Sequence, residues 1–327
     1  MGFGIFGKKS VIIRVDGGLC SQIAFAALGK FFEDKGYRVK YDLTWYRQNG
    51  MDMDNRFVRN FDMAKAFPEM VFNEASDTEI GFYKMFHKRN SKKNVTEQRP
   101  PVYLDSYDNE RHFLFVHYRD YFIKAFRFNT KDKTQLELLS EIENTNSVGV
   151  HIRRGDIATS NCYGKPADIE YFVKAMNMIQ NGSKDKSVKF YLFSDEPEWI
   201  SENILPEVKG LDCKLCTGNG SDKGYLDLYL LSRCKHIISS NGSMGAYARI
   251  LSPNEPELYT CKYFDFIFEN FENVTLLNYP GTIMNKTRIF SEKAKVPFKD
   301  KIFSIKQDNT YLTVTIMFIK FKFNMRK

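Results

Sequence analysis

Val148-Gly-Val-His-Ile-Arg-Arg-Gly-Asp156 decides how this chain is read. Val148, Val150 and Ile152 alternate onto one face, the period of a strand buried against a core, while His151 and Arg153 fall on the other. The apolar run then stops at Arg154-Gly155-Asp156. Ligands of α/β sheets sit beyond the carboxyl ends of strands, so Arg153 and Arg154 stand where a ligand would. A guanidinium offers a fork of donors matched to phosphate oxygens. Gly155 permits a sharp bend, Asp156 is placed to hold an arginine, and His151 can donate or accept a hydrogen bond. The competing reading of the same residues is a solvated charged turn.

The rhythm continues downstream. Ile169 to Ile179 reads as a helix and Val188 to Phe193 as a strand ending in Ser194-Asp195. Pro197 opens a short helix, Tyr225 to Leu231 is helical, and His236-Ile-Ile238 is a strand. Ser239-Ser-Asn-Gly-Ser243 then leads into a helix stopped at Ser252-Pro253, and Leu258 to Cys261 closes the series as a strand. Asp195 suits a nucleobase amine or ribose hydroxyl, or equally the cap of the next helix. The turn at 239–243 suits a phosphate, or capping alone.

Upstream, Val11 to Val15 reads as a buried strand broken by Asp16-Gly17-Gly18. Ser21 can cap the helix that follows, whose face is Ile23, Ala27 and Phe31 and whose stop is Gly36. Val39 to Leu43 is a second strand. This is the opening βαβ of an α/β unit, with backbone N–H groups of the glycine turn open to an anion. Residues 44–128 read as helices and loops, and 129–146 as a polar junction around the amphipathic Leu136 to Ile142. The expected division is 1–135, 136–290 and a basic tail, 291–327.

Composition narrows the class. The 327 residues are 43% hydrophobic and 15% aromatic, enough for packed cores, and carry a net charge of +8, which suits an anionic partner without choosing one. Lysine and arginine are spread along the chain rather than clustered with aromatics as in a nucleic-acid surface. Six cysteines are irregularly spaced; Cys213-Lys-Leu-Cys216 is a lone CxxC that Cys234 and His236 would have to complete as a zinc site, and free thiols are the better reading. Asp52-Met53-Asp54 has the form of a metal-binding carboxylate pair but follows no apolar strand, so no metal site is expected. Met1 to Ser10 lacks a signal-peptide core, and no run approaches the ~18 apolar residues of a membrane helix. A cytoplasmic protein is expected, with the tail as an added strand pair or as a peripheral contact at the inner face of the cell membrane.

Five segments, in order, resemble the bacterial-type galactoside α-1,2-fucosyltransferases of glycosyltransferase family eleven. Val15-Asp-Gly-Gly-Leu-Cys-Ser-Gln22 resembles the family's GGLGNQ, and Tyr103-Leu-Asp-Ser-Tyr107 its YLEGY. His151-Ile-Arg-Arg-Gly-Asp156 matches HxRRxD without a mismatch. Phe193-Ser-Asp-Glu196 with Trp199 resembles FSDD…W, and Asp227 to Asn241 resembles DLxLMSxCKHNIIANS.

The resemblance implies an α/β fold of GT-B type, two Rossmann-like domains facing a central cleft. It implies GDP-fucose as donor, inversion at the fucose carbon and no required metal or other cofactor; a glycan acceptor is expected, with a lipid-linked glycan among the candidates. Arg153, with Arg154 and Asp156, is the implied catalytic group; Gly17, Gly18, Gln22, His151, Asp195, Asn241 and Ser243 are the implied substrate contacts. The chain departs from the pattern at Cys20 and Ser21, and at Gly242 to Leu251, where the family's paired tryptophans are absent. Bulky aromatics there would shape part of the pocket, so the acceptor stays open. So does the general base, for which Asp16 and Asp156 stand unranked. The alternatives are a GT-B transferase using another nucleotide sugar and a non-enzymatic basic protein that binds nucleic acid.

Overall fold

The computed structural model describes residues 10–48, 50–51, 58–105, 108–159, 166–183, 187–220, 222–260, 274–277, 303–307, 311–316 and 319–324. Asp52 to Asp54, Tyr107, Cys162, Cys261 and all of 278–302 lie outside them.

The chain is α/β, built on two parallel sheets. In the first, β1 (Ser10–Arg14) lies between β2 (Arg38–Asp42) and β3 (Val102–Leu104), all parallel. Val11 and Ile13 enter one hydrophobic cluster and Ile12 another, as a strand covered on both faces requires. The Leu19–Asp34 helix makes the crossover from β1 to β2. Its N-cap is Gly18, in extended backbone with no side-chain cap. Ser21 therefore sits inside the helix and does not cap it, because the βα turn is short enough for the helix to begin at once. β3 is the strand missing from the expectation of helix and loop over 44–128: three residues after a pair of prolines are too few to show alternation.

The second sheet runs β6 (Asp212–Cys216), β5 (Val188–Ser194), β4 (Asn146–Ile152), β7 (His236–Ser239), β8 (Glu257–Thr260), β9 (Val274–Leu276). Every pairing is parallel. Counted from β4, this is the strand order 3-2-1-4-5-6 of a dinucleotide-type fold. Val148, Val150 and Ile152 of β4 pack with the Ile169–Gly182 helix, whose Phe172, Ala175 and Met176 are fully buried. On the opposite face, a Cβ at Gly149 would come within 2.9 Å of the Cys234 sulfur.

β6 was not foreseen, since its alternating Asp212 and Lys214 give an edge strand little apolar signal. It also decides the CxxC. Cys213 packs with the cluster on one face of the sheet and Cys216 with the cluster on the other, so the two thiols cannot converge on an ion. Among the described residues no group of three or more potential metal ligands occurs.

The larger hydrophobic cluster is shared by both units. The Glu110–His117 helix of the first unit packs on the Met244–Leu251 helix of the second: Phe115 stacks on Tyr247 at 4.4 Å, and His112 Nδ1 meets the Tyr247 hydroxyl at 2.6 Å. Arg119 donates to the carbonyls of Ile250 (3.0 Å) and Ser252 (2.7 Å), covering acceptors that the helix end leaves open.

The tail contains strands, three rather than a pair. β10 (Phe303–Gln307), β11 (Tyr311–Ile316) and β12 (Ile319–Asn324) form an antiparallel sheet separate from the other two. No helix among the described residues is long and apolar enough to cross a membrane.

Candidate active site at a sheet switch point

The strand order of the second sheet reverses between β4 and β7. Adjacent crossovers leave on opposite faces there, opening a crevice at the carboxyl ends of both strands. β4 delivers His151, Arg153 and Arg154 to it; β7 delivers Ser239, Ser240 and Asn241. The two ends are tied together. The Ser240 N–H donates to the His151 carbonyl at 3.1 Å, and the Ser240 hydroxyl accepts the Arg153 N–H at 2.9 Å.

Three residues after β5 hold the arginines. The Asp195 carboxylate pairs with Arg153 Nη1 through Oδ2 and accepts the Arg154 N–H at 3.0 Å through Oδ1. Glu196 accepts from Arg154 Nε at 2.9 Å, and the Arg154 guanidinium lies 3.8 Å above the Trp199 ring. Ser194 donates to the Ile152 carbonyl at 2.9 Å while accepting the Glu196 N–H at 3.0 Å, which locks the two strand ends in register. Gly155 is required by this closeness: a Cβ there would stand 2.6 Å from Asp195 Oδ2.

Asp195 and Glu196 hold the pair from the end of β5, directly beside β4. The side chain of Asp156, expected to hold an arginine, lies outside the described residues. Asp195, expected as a nucleoside contact or a helix cap, is not the cap of the following helix, whose N-cap is Glu196; it lines the cavity while each of its oxygens accepts from the arginine segment. Arg154, expected beside Arg153 as a catalytic group, pairs with Glu196 through Nε and stacks on Trp199.

Arg153 instead lines a cavity of about 480 Å³, together with His151, Asp195, Asp227, Asn219 and Met244. Burial pushes the His151 imidazole down to about 4, partly offset by Asp195, so the ring is neutral near pH 7 and its buried Nδ1 has no hydrogen-bond partner among the described residues. Burial pushes the Asp227 carboxyl up to about 7, against the opposing hydrogen bond from Asn219 Nδ2 at 2.7 Å. The sequence contained Asp227 only as the first letter of a motif, and Asn219 carried no signal beyond a turn-forming Asn-Gly.

The other expected contacts are placed differently. Asn241 is buried, and Ser243 stands at the start of the Met244–Leu251 helix without capping it. Ser243 hydrogen-bonds the buried Cys20 thiol, which desolvation pushes up to about 12 although Ser243 and the Arg153 charge oppose this. The first unit's glycine turn is thus carried to Ser243 and Arg153. Gly17 takes φ +80°, and its carbonyl accepts from Gln22 Nε2 at 3.2 Å and from the Tyr46 hydroxyl at 2.9 Å. A Cβ on Gly18 would meet nothing within 4 Å, so its backbone faces open space. Gln22, expected as a substrate contact, braces the turn in this structure: Nε2 also donates to the Asn60 carbonyl at 2.8 Å, and Oε1 accepts the Asp62 N–H at 2.9 Å. Asp16, beside the turn, has Oδ2 3.5 Å from Arg14 Nε and a buried Oδ1 with no hydrogen-bond partner among the described residues.

Ala246 and Tyr247, which stand where the family has its pair, are buried, Tyr247 against Phe115 and His112 of the first unit, and Met244 lines the cavity.

The family model for glycosyl transferase family 11 matches residues 60–266. The chain belongs to glycosyl transferase family 11. Membership makes it a glycosyltransferase. Among curated members, the alpha-1,2-colitosyltransferase of Escherichia coli is 25% identical over 253 residues, covering 71% of this chain and 84% of that protein. Galactoside alpha-(1,2)-fucosyltransferase 2 of Rattus norvegicus is 31% identical over 120 residues, 36% of this chain. The chain spans about a third (32%) of that relative's length. Among solved structures, the NodZ alpha-1,6-fucosyltransferase co-crystallized with GDP aligns over 75% of this chain and 93% of its own, at 18% identity and a TM-score of 0.42.

For a family 11 transferase, the cavity offers three chemical elements. Arg153 provides a positioned cation, His151 a neutral imidazole, and Asp227 a carboxylate poised between protonation states.

Proposed function

We propose that this family 11 chain transfers L-fucose from GDP-β-L-fucose, with inversion, to the 2-hydroxyl of a galactoside in a surface glycan. The observation that carries the reading is Arg153: it stands at the β4–β7 switch point, oriented by Asp195, on the wall of a cavity large enough for a nucleotide. As the bond between fucose C1 and the phosphate oxygen breaks, charge grows on GDP. A preorganised guanidinium stabilises that charge in place of a metal ion. The acceptor oxygen forms the new bond to C1 from the opposite face and passes its proton to a carboxylate base, Asp16 or Asp156.

Asp227 supports GDP over other nucleotides. A carboxylate accepts two parallel hydrogen bonds, and guanine alone among the common bases presents adjacent N1–H and N2–H donors on one edge. The E. coli relative favours a second reading, colitose in place of fucose. The linkage named for both relatives supports attack by a 2-hydroxyl. The lysines spread along the tail, among them Lys293, Lys295, Lys306, Lys320 and Lys322, support a peripheral contact with an anionic membrane.

Titration with GDP, UDP and ADP, followed by turnover of GDP-fucose on β-galactosides with and without EDTA, tests this reading. GDP preference and EDTA-insensitive transfer are expected. Equal affinity for UDP or ADP overturns the donor assignment, and loss of activity in EDTA overturns metal independence.

A further inference from the structure

Arg59 lines the same cavity as Arg153, from the other unit. Its segment is fixed at several points. The Arg59 N–H donates to the Gly50 carbonyl at 2.8 Å, and Gln22 bonds the backbone of Asn60 and Asp62 on the far side. Lys65 Nζ then reaches the Asp222 carbonyl at 3.0 Å, joining this stretch to the loop that follows β6. A guanidinium is therefore delivered to the donor cavity on braced backbone, and Gln22 acquires a purpose: it joins the glycine turn to the segment that carries Arg59.

We infer that Arg59 is a second donor-binding residue, which engages the diphosphate of the nucleotide sugar and so makes donor binding depend on both units. The inference rests on the proposed nucleotide-sugar reading of this cavity. Its physical basis is charge balance. Arg153 is already paired with Asp195. A departing nucleoside diphosphate gains negative charge, which one half-compensated guanidinium matches poorly and two match well. A contact spanning the two units also holds the donor against the face from which the acceptor arrives, where a small displacement costs rate.

The test is calorimetric titration of the full chain as wild type, Arg59→Ala and Arg59→Lys, each with GDP and with guanosine. Arg59→Ala is expected to weaken GDP at least ~10-fold, or ~1.4 kcal/mol, and to leave guanosine affinity unchanged. Arg59→Lys is expected to recover part of the loss, since an ammonium keeps the charge but not the fork. Arg59→Ala binding GDP like wild type, or losing GDP and guanosine alike, overturns the inference. Wild type that binds no GDP overturns the donor reading instead.

Discussion

Asp195 orients Arg153: one carboxylate oxygen pairs with the guanidinium and the other takes the next backbone N–H, so side chain and main chain are held by a single residue. Asp195→Asn keeps the shape and removes the charge. With Arg153 no longer aimed, kcat should fall roughly 10- to 100-fold while the melting temperature moves little, since the site is partly exposed. Steady-state kinetics with GDP-fucose check this, and an unchanged kcat would remove Asp195 from the account.

Gly155→Ala should reproduce that loss by a different route. The added methyl meets Asp195 Oδ2 at 2.6 Å and must displace the carboxylate from Arg153. The double variant with Asp195→Asn should then be little worse than either single one, because both disturb the same contact. Additive losses in such a cycle would show that the two positions act independently.

Arg154 and Arg153 should separate experimentally. Arg154→Ala removes the Glu196 pair and the stacking on Trp199, a loss of ~1–3 kcal/mol in stability, and should leave kcat within about tenfold of wild type. Thermal melts beside kinetics read both quantities. A catalytic loss as large as that of Arg153→Ala would place Arg154 in the chemistry.

Asp227 sets a pH dependence. Its folded pKa of about 7 lies above the unfolded value of ~3.9, so the folded state binds the proton more tightly. Stability should decline as pH rises from about 4 to about 7 and level off above, and Asp227→Asn should flatten that decline. Guanosine should bind more tightly at pH 8 than at pH 6, since only the carboxylate accepts both donors of the base; in Asp227→Asn the dependence should vanish. Calorimetry at the two pH values decides, and equal wild-type affinities would separate Asp227 from base recognition.

The sequence made the strand ends legible because apolar runs broken by Gly, Asp or Ser are local signals. Val148 to Ile152, Val188 to Ser194 and His236 to Ser239 all form strands, and their ends meet at one crevice. What joins across the sheet was less legible. Asp195, forty-two residues from Arg153 in the chain, pairs with it because β4 and β5 end side by side, a closeness the sequence does not show. A motif names Gln22 without naming what it bonds, so its bonds to the backbone of Asn60 and Asp62 were not legible. Arg59 gave no signal: it lies in a polar stretch without periodicity, and only the packing of the two units carries it into the cavity. β3 and β6 were missed where a strand was too short or too polar to show its period.

Arg153 carries the central claim, and one comparison tests it most directly: turnover of GDP-fucose by wild type and by Arg153→Ala, each shown by thermal melting to be folded. The account predicts a fall of at least ~100-fold, the typical cost of removing a donor that stabilises charge in the transition state. An Arg153→Ala enzyme as active as wild type would contradict it.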